Sequence, residues 1–102
     1  MKLRLSSNKL TFRITNQEYL VLLEDKSITE NFILPDQDEI TYKITIGDLN
    51  TMYFKHKTIE LVVTSEQIEN LKLAPKKTGL ENCYSTVNGE MTISLEIDLK
   101  LI

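Results

Sequence analysis

The chain has 102 residues, of which 41% are hydrophobic and 26% are charged, a composition typical of one soluble globular domain. Its 12 basic and 15 acidic residues give a net charge of −3, which argues against a protein that coats duplex nucleic acid. Cys83 is the only cysteine, so no disulfide can form within the chain, and no apolar run reaches the roughly 20 residues needed to cross a bilayer. We therefore expect a cytoplasmic protein.

The first elements are predicted by two successive periodicities. Residues 2–6 and 9–14 alternate polar and apolar side chains, which indicates two strands with one face in solvent. Thr15 and Glu18 then have the spacing of a capping box, in which both side chains accept hydrogen bonds from free amides at the start of a helix. An apolar stripe continues from there, and the helix should end near residues 24–25.

Further strands are expected on both sides of the middle of the chain. Residues 28–34 and 40–46 read as strands separated by a turn that begins at Pro35. Later, residues 74–77 read as a loop and residues 80–87 as a strand with poor alternation.

The end of the chain carries the clearest hairpin signal. Asn88-Gly89 predicts a type I′ turn, because both residues tolerate positive φ. The long strand that follows should point its apolar residues inward, namely Met91, Ile93, Leu95, Ile97, Leu99 and Leu101. Its outward residues would then be Thr92, Ser94, Glu96, Asp98 and Lys100.

The second half repeats the first at a constant offset of 49 residues without a gap. The apolar residues Leu3, Leu5, Leu10, Phe12 and Ile14 fall on Met52, Phe54, Ile59, Leu61 and Val63. Thr64 and Gln67 repeat the capping box. We predict a single domain made of two pseudo-symmetric strand-strand-helix-strand-strand repeats, about 1–46 and 50–102. The expected class is α+β, with eight mainly antiparallel strands in a barrel-like or two-sheet arrangement and two helices.

No constellation of catalytic residues is visible, so we predict no catalytic, cofactor or metal site. His56 is the only histidine and reads as an exposed turn residue, while Cys83 reads as a half-buried strand residue. The carboxylates Asp36, Asp38 and Glu39 could hold a divalent ion, but they lack the Gly and the terminal Glu of a calcium loop. A solvated turn is the preferred interpretation.

Charge is the remaining functional signal. Five basic residues of the first repeat are predicted to share one outer strand face and to form a candidate anion-binding set: Lys2, Arg4, Lys9, Arg13 and Lys43. The equivalent face of the second repeat carries Glu60, Glu96 and Asp98. Such unequal faces indicate an anion or nucleic-acid surface, or one half of a self-complementary contact between two copies.

The sequence also resembles a family of short, uncharacterised bacterial proteins, a domain of unknown function. The resemblance is carried by Met1-Lys2-Leu3-Arg4-Leu5, Asn8, Leu10, Phe12-Arg13-Ile14-Thr15, Glu18, Ile40-Thr41-Tyr42, Ile59-Glu60-Leu61-Val62-Val63 and Glu96-Ile97-Asp98. The chain departs from the family pattern at Thr11, where an Arg is usual, and at Leu101-Ile102, where the family tends to run on. The resemblance implies a bacterial cytoplasmic source and no activity.

Our leading hypothesis is a non-enzymatic binding or protein-interaction module, with a second copy or another protein as partner and no membrane association. One alternative is single-stranded nucleic-acid or polyanion binding by the five basic residues, although few aromatic side chains are predicted to point outward. Another is a metal-dependent phosphate hydrolase that uses Glu96, Asp98 and Lys100, although these residues are predicted to face water.

Overall fold

The computed structural model describes residues 1–71 and 79–98, which form eight strands and two helices. In chain order the elements are β1 (Lys2–Leu5), β2 (Lys9–Thr15), α1 (Asn16–Asp25), β3 (Ser27–Ile33), β4 (Glu39–Ile46), β5 (Thr51–Lys55), β6 (Thr58–Val63), α2 (Ser65–Leu71), β7 (Leu80–Thr86) and β8 (Gly89–Asp98). The α+β class and the common element order of the two halves are as predicted. The predicted loop at 74–77 and the predicted strand residues Leu99, Lys100 and Leu101 lie outside the described residues.

The strands form two four-stranded sheets. Sheet A has the order β1-β2-β8-β7 and sheet B the order β3-β4-β6-β5. Neither sheet closes on itself, because β1 and β7 are edges of sheet A and β3 and β5 are edges of sheet B. The two-sheet alternative is therefore correct for the described residues, and the barrel-like alternative is wrong.

Each sheet is built from two hairpins joined by a parallel pair of strands. The outer pairs β1/β2, β7/β8, β3/β4 and β5/β6 are antiparallel, so the strands are mainly antiparallel as predicted. The central pairs, β2/β8 and β4/β6, are parallel. Each half of the sequence contributes one hairpin to each sheet, and a helix carries the chain from the first hairpin to the second.

The compact units of the chain cut across the two halves of the sequence. One unit comprises Met1–Tyr19 with Glu69–Ile102 and contains sheet A, while the other comprises Leu20–Ile68 and contains sheet B. Each helix begins in one unit and ends in the other. Sheet A therefore requires both ends of the chain, whereas sheet B is formed by one continuous segment.

One face of each sheet is apolar, and it is buried along the central strands, whereas Leu5, Phe32 and Phe54 on the edge strands are exposed. In sheet A the fully buried side chains alternate along the central strands: Leu10, Phe12 and Ile14 on β2, Ile93 and Leu95 on β8. In sheet B they are Ile44 on β4 with Leu61 and Val63 on β6. Burial of each such side chain contributes roughly 1.5–3 kcal/mol, and the helices add Tyr19, Leu22, Ile68 and Leu71 to the buried residues. Ile93 and Leu95 face inward as predicted, but Ser94, predicted to face outward, is only 1% exposed.

Both helices begin with the predicted capping boxes. At α1, Glu18 N donates to Thr15 Oγ1 over 3.1 Å and Thr15 N donates to Glu18 Oε1 over 2.9 Å. At α2 the corresponding distances, between Thr64 and Gln67, are 3.1 and 3.0 Å.

No helix in residues 1–71 and 79–98 is long and apolar enough to span a membrane.

The type I′ turn lies in a different hairpin from the one predicted. His56 and Lys57, between β5 and β6, have φ of 52° and 60°, which is the backbone of a type I′ turn. In the last hairpin the two loop residues are Val87 and Asn88, and the positive φ of 112° belongs to Gly89 at the start of β8. The prediction of a type I′ turn at Asn88-Gly89 is therefore wrong. The Thr86 hydroxyl accepts from Asn88 N and donates to Gly89 O, and these bonds stabilise the turn that forms instead.

The caps generate a first prediction. Replacement of Thr15 by Ala or of Thr64 by Ala removes the acceptor for one free helix amide, so each change should destabilise the protein by about 1 kcal/mol. Urea unfolding followed by circular dichroism measures the difference. Thr15→Ser is the matched control, since it keeps the hydroxyl. A loss of stability in the control equal to that in Thr15→Ala would show that the hydrogen bond is not the cause.

The turn between β5 and β6 generates a second prediction. A side chain at positive φ is strained, and Asn tolerates this conformation better than His. Because His56 is exposed, His56→Asn should lose no packing and should stabilise the protein by about 0.5 kcal/mol. His56→Val should have the opposite effect, since a β-branched residue tolerates this backbone least. Equal midpoints of urea unfolding for both variants would contradict the assignment of the turn.

Candidate interaction surface

The polar face of sheet A carries charges that are separated by sign. Alternation along β1 and β2 places four basic residues on this face: Lys2, Arg4, Lys9 and Arg13. On β7 and β8 the same alternation places four acidic residues there: Glu81, Glu90, Glu96 and Asp98. The boundary between the two sets is the parallel pair β2/β8. We call this surface the charge-divided face.

The register of the parallel pair brings the two sets into contact at the boundary. Arg13 pairs with Glu96 in the ladder, and its Nη2 lies 3.6 Å from Asp98 Oδ1. Lys9 Nζ lies 3.3 Å from Glu81 Oε2. These side chains are between 29% and 48% exposed, so each pair contributes at most about 1 kcal/mol to folding. The Nε of Arg13 is buried and has no acceptor among the described residues.

A buried pair of hydroxyl groups lies at the centre of the charge-divided face. Ser94 Oγ donates to Thr11 Oγ1 over 3.0 Å, and the two residues are only 1% and 8% exposed. Arg4 lies opposite Thr11 on β1, and Glu81 lies opposite Ser94 on β7. The centre of the face therefore has two short, mutually bonded side chains, and longer charged side chains lie on either side of them.

The structure divides the predicted anion-binding set between the two sheets. Lys2, Arg4, Lys9 and Arg13 lie on one hairpin of sheet A, whereas Lys43 lies on β4 of sheet B. The prediction placed all five on one face because the sequence does not reveal that the two hairpins of one half enter different sheets.

The acidic counterparts are distributed in the same way. Glu96 and Asp98 lie beside the basic hairpin of sheet A, and Glu60 lies beside Lys43 in sheet B. Tyr53 donates its hydroxyl to Glu60 over 2.7 Å. This bond, assisted by the charge of Lys43, lowers the pKa of Glu60. In both sheets, a basic residue of the first half thus lies next to an acidic residue of the second half across the parallel pair, Arg13 beside Glu96 and Lys43 beside Glu60.

Two acidic residues of the charge-divided face were missed by the sequence analysis. Glu81 and Glu90 lie on strands whose alternation is weak near the hairpin turn. A hairpin loop of Val87-Asn88 pairs Thr86 with Gly89 and places Glu81 opposite Ser94. The predicted Asn88-Gly89 turn would have put Glu81 opposite Glu96, on the same face, so pairing β7 with β8 across either two-residue turn is enough to place Glu81 beside Glu96 and Asp98.

The other residues considered in the sequence analysis are exposed to solvent or hydrogen-bonded to nearby residues. His56 is exposed, as predicted. Cys83 is exposed rather than half-buried, because it lies on the polar face of an edge strand, with Sγ 3.7 Å from Thr92 Oγ1.

The three carboxylates after Pro35 form hydrogen bonds within and near their turn. Asp36 accepts from Asp38 N over 2.9 Å, and Glu39 Oε1 accepts from the side chain of Asn31 over 2.6 Å. Asp38 pairs with Lys57, which lowers the pKa of Asp38. In the described part of the chain, no group of three or more His, Cys, Asp or Glu side chains is arranged to hold a metal ion.

The hydroxyl pair generates a third prediction. Thr11→Val or Ser94→Ala leaves the other buried hydroxyl without its partner, so each change should destabilise the protein by about 1–2 kcal/mol. The double variant removes both hydroxyls and should cost less than the sum of the two single changes. Chemical denaturation of the four proteins measures this coupling. Additive effects would show that the two hydroxyls do not depend on each other.

Comparison with known proteins identifies a family but no characterised relative. No curated protein and no solved structure matches the chain. The family model of DUF7009, a family of unknown function, matches residues 1–102 of the sequence. Membership of an uncharacterised family, which the resemblance implied, is thereby confirmed, and the chain belongs to DUF7009.

Proposed function

We propose that this protein is a non-enzymatic protein-interaction module and that the charge-divided face is its binding surface. The observation that carries the proposal is the separation of four basic and four acidic side chains onto the two hairpins of one sheet face. A partner with two charge blocks of the opposite order would match both halves at once. Charge complementarity of this kind sets the orientation and the association rate of a complex.

A protein partner fits this surface better than a polyanion does. The basic hairpin lies directly beside the acidic strand β8, so a nucleic-acid strand on the basic half would also approach four carboxylates. Two of the four cations already have acidic partners, at Glu81 and Asp98. Single-strand binders also use stacking aromatic side chains, and the described strand residues on this face include none.

The hydrolase alternative has less support from the geometry. The row that suggested it contains Glu96 and Asp98, and both lie beside Arg13. A carboxylate that is paired with a guanidinium is less available as a ligand for a metal–phosphate substrate. Lys100, the third member of the row, lies outside the described residues.

We also infer that the module arose by duplication of a unit about 50 residues long. The inference is supported by the shared element order, the two capping boxes and the equivalent parallel pairs β2/β8 and β4/β6. In sheet B, Leu61 pairs with Ile44. At the constant offset of 49 residues their counterparts are Phe12 and Ile93, but in sheet A Phe12 pairs with Leu95. The last strand is thus shifted by two residues relative to its counterpart.

The fourth prediction tests the binding surface with the full chain. A photo-crosslinking amino acid at Glu81, on the charge-divided face, should form a discrete adduct in cells that naturally produce the protein. Mass spectrometry should identify the adduct as this chain or another protein. The matched control is the same amino acid at Thr29, an exposed position on the polar face of edge strand β3 in sheet B.

Two outcomes would overturn the proposal. Equal adducts from Glu81 and Thr29 would show that the charge-divided face is not special. Saturable, salt-sensitive binding of a fluorescent oligothymidylate, lost in Arg4→Ala but not in Lys43→Ala, would instead assign the basic hairpin to a polyanion.

A further inference from the structure

We propose that the partner is a second copy of this chain, bound face to face through the charge-divided face, with a two-fold axis parallel to the strands. This inference rests on the proposed function, since it assumes that the same face is the binding surface. The choice of partner and its orientation both follow from the arrangement of charge on this face.

Two limiting orientations place one copy of the face on another with two-fold symmetry. If the axis runs across the strands, the hairpin β1/β2 covers its own symmetry mate, and four cations meet four cations. If the axis runs along the parallel pair β2/β8, then β2 covers β8 of the partner and β1 covers β7 of the partner. Only the second orientation places the basic half of each copy on the acidic half of the other.

The register of sheet A specifies which charges meet. A two-fold axis along the strands keeps every residue at its level along the strand direction. Arg13 and Glu96 share a level in the ladder, so Arg13 meets Glu96 of the partner subunit. Arg4 lies at the level of Thr11, and Glu81 lies at the level of Ser94, which is the same level. Arg4 therefore meets Glu81 of the partner subunit, and symmetry forms each contact twice.

The centre of the face allows this approach. Thr11 and Ser94 are short, buried and hydrogen-bonded to each other, so they neither separate the two faces nor require new partners. The Arg13 side chain is 40% exposed, so the accessible part of its guanidinium can donate to a carboxylate of the second copy.

The size of the face determines how strong the dimer should be. Four strands about 4.8 Å apart, with about seven residues rising about 3.3 Å each, make a face on the order of 400 Å² in each copy. The total is below the ~1,200 Å² of a stable standard interface, so we expect a weak, concentration-dependent dimer. Because its contacts are ionic, the dimer should also weaken as salt shortens the range of charge interactions.

The fifth prediction uses charge reversal in the full-length protein. Sedimentation velocity at low ionic strength should show a reversible dimer, and either Arg13→Glu or Glu96→Arg should raise its dissociation constant at least tenfold. Each single variant repels itself, but an equimolar mixture of the two has opposite charges at both contacts. The mixture should therefore recover association as a heterodimer of one copy of each, which native mass spectrometry distinguishes by mass.

Sheet B supplies a matched control. Lys43 and Glu60 form the equivalent basic–acidic pair across the parallel pair β4/β6, and Lys43→Glu or Glu60→Lys should leave the dissociation constant unchanged. If Arg13→Glu or Glu96→Arg fails to fold, as judged by circular dichroism, the exposed pair Arg4→Glu and Glu81→Arg gives the same mixing test.

The outcomes separate this inference from the proposed function. A wild-type protein that stays monomeric at millimolar concentration and low salt would overturn the second copy as partner. An adduct of position 81 with a different protein would still support the interaction module. Dimers that persist in every charge-reversed variant, or mixtures that do not associate, would overturn the orientation proposed here.

Discussion

The parallel pairing of β2 with β8 is the constraint on which sheet A depends. It joins the first hairpin to the last, across 83 residues between Thr11 and Ser94, and it sets the level of every side chain on both faces. On one face it aligns Phe12 with Leu95, both fully buried. A slip of one residue would move these side chains to solvent and bury charged ones, so the apolar face fixes the register of the polar face as well.

Much of the local structure follows from the sequence because it depends on short-range chemistry. The capping boxes involve residues three positions apart, and strand alternation needs no knowledge of the partner strand. Strand order does not follow, because each half has two hairpins and the sequence does not say whether they share a sheet. The barrel-like alternative and the single five-residue basic face both came from that missing information. Ser94 is buried for the same reason, since its environment is made by strands distant in the sequence.

The turns show a second limit of local reasoning. Asn88-Gly89 is a residue pair preferred in type I′ turns, yet it is His56-Lys57 that adopts this turn. The register of a hairpin is selected by both strands together, and in β5/β6 it aligns Phe54 with Ile59 and Met52 with Leu61 on the apolar face. In this register Leu61 is buried and Met52 and Ile59 are half-buried, and their burial favours the turn despite the roughly 1–2 kcal/mol that each left-handed residue costs. Tertiary pairing therefore overrides the turn preference of the sequence.

The separation of charge on sheet A has no sufficient explanation in stability. The two ion pairs on this face are partly exposed and together contribute at most about 2 kcal/mol, which scattered charges would supply equally well. Moreover, Lys2 lies directly opposite Arg13 on neighbouring strands, an arrangement of like charges that is unfavourable for folding. The proposed interaction would account for a face that keeps like charges together, because blocks of charge define the orientation of a partner and alternating charges do not. The candidate site thus follows from the fold, which places a basic hairpin and an acidic hairpin side by side on one face.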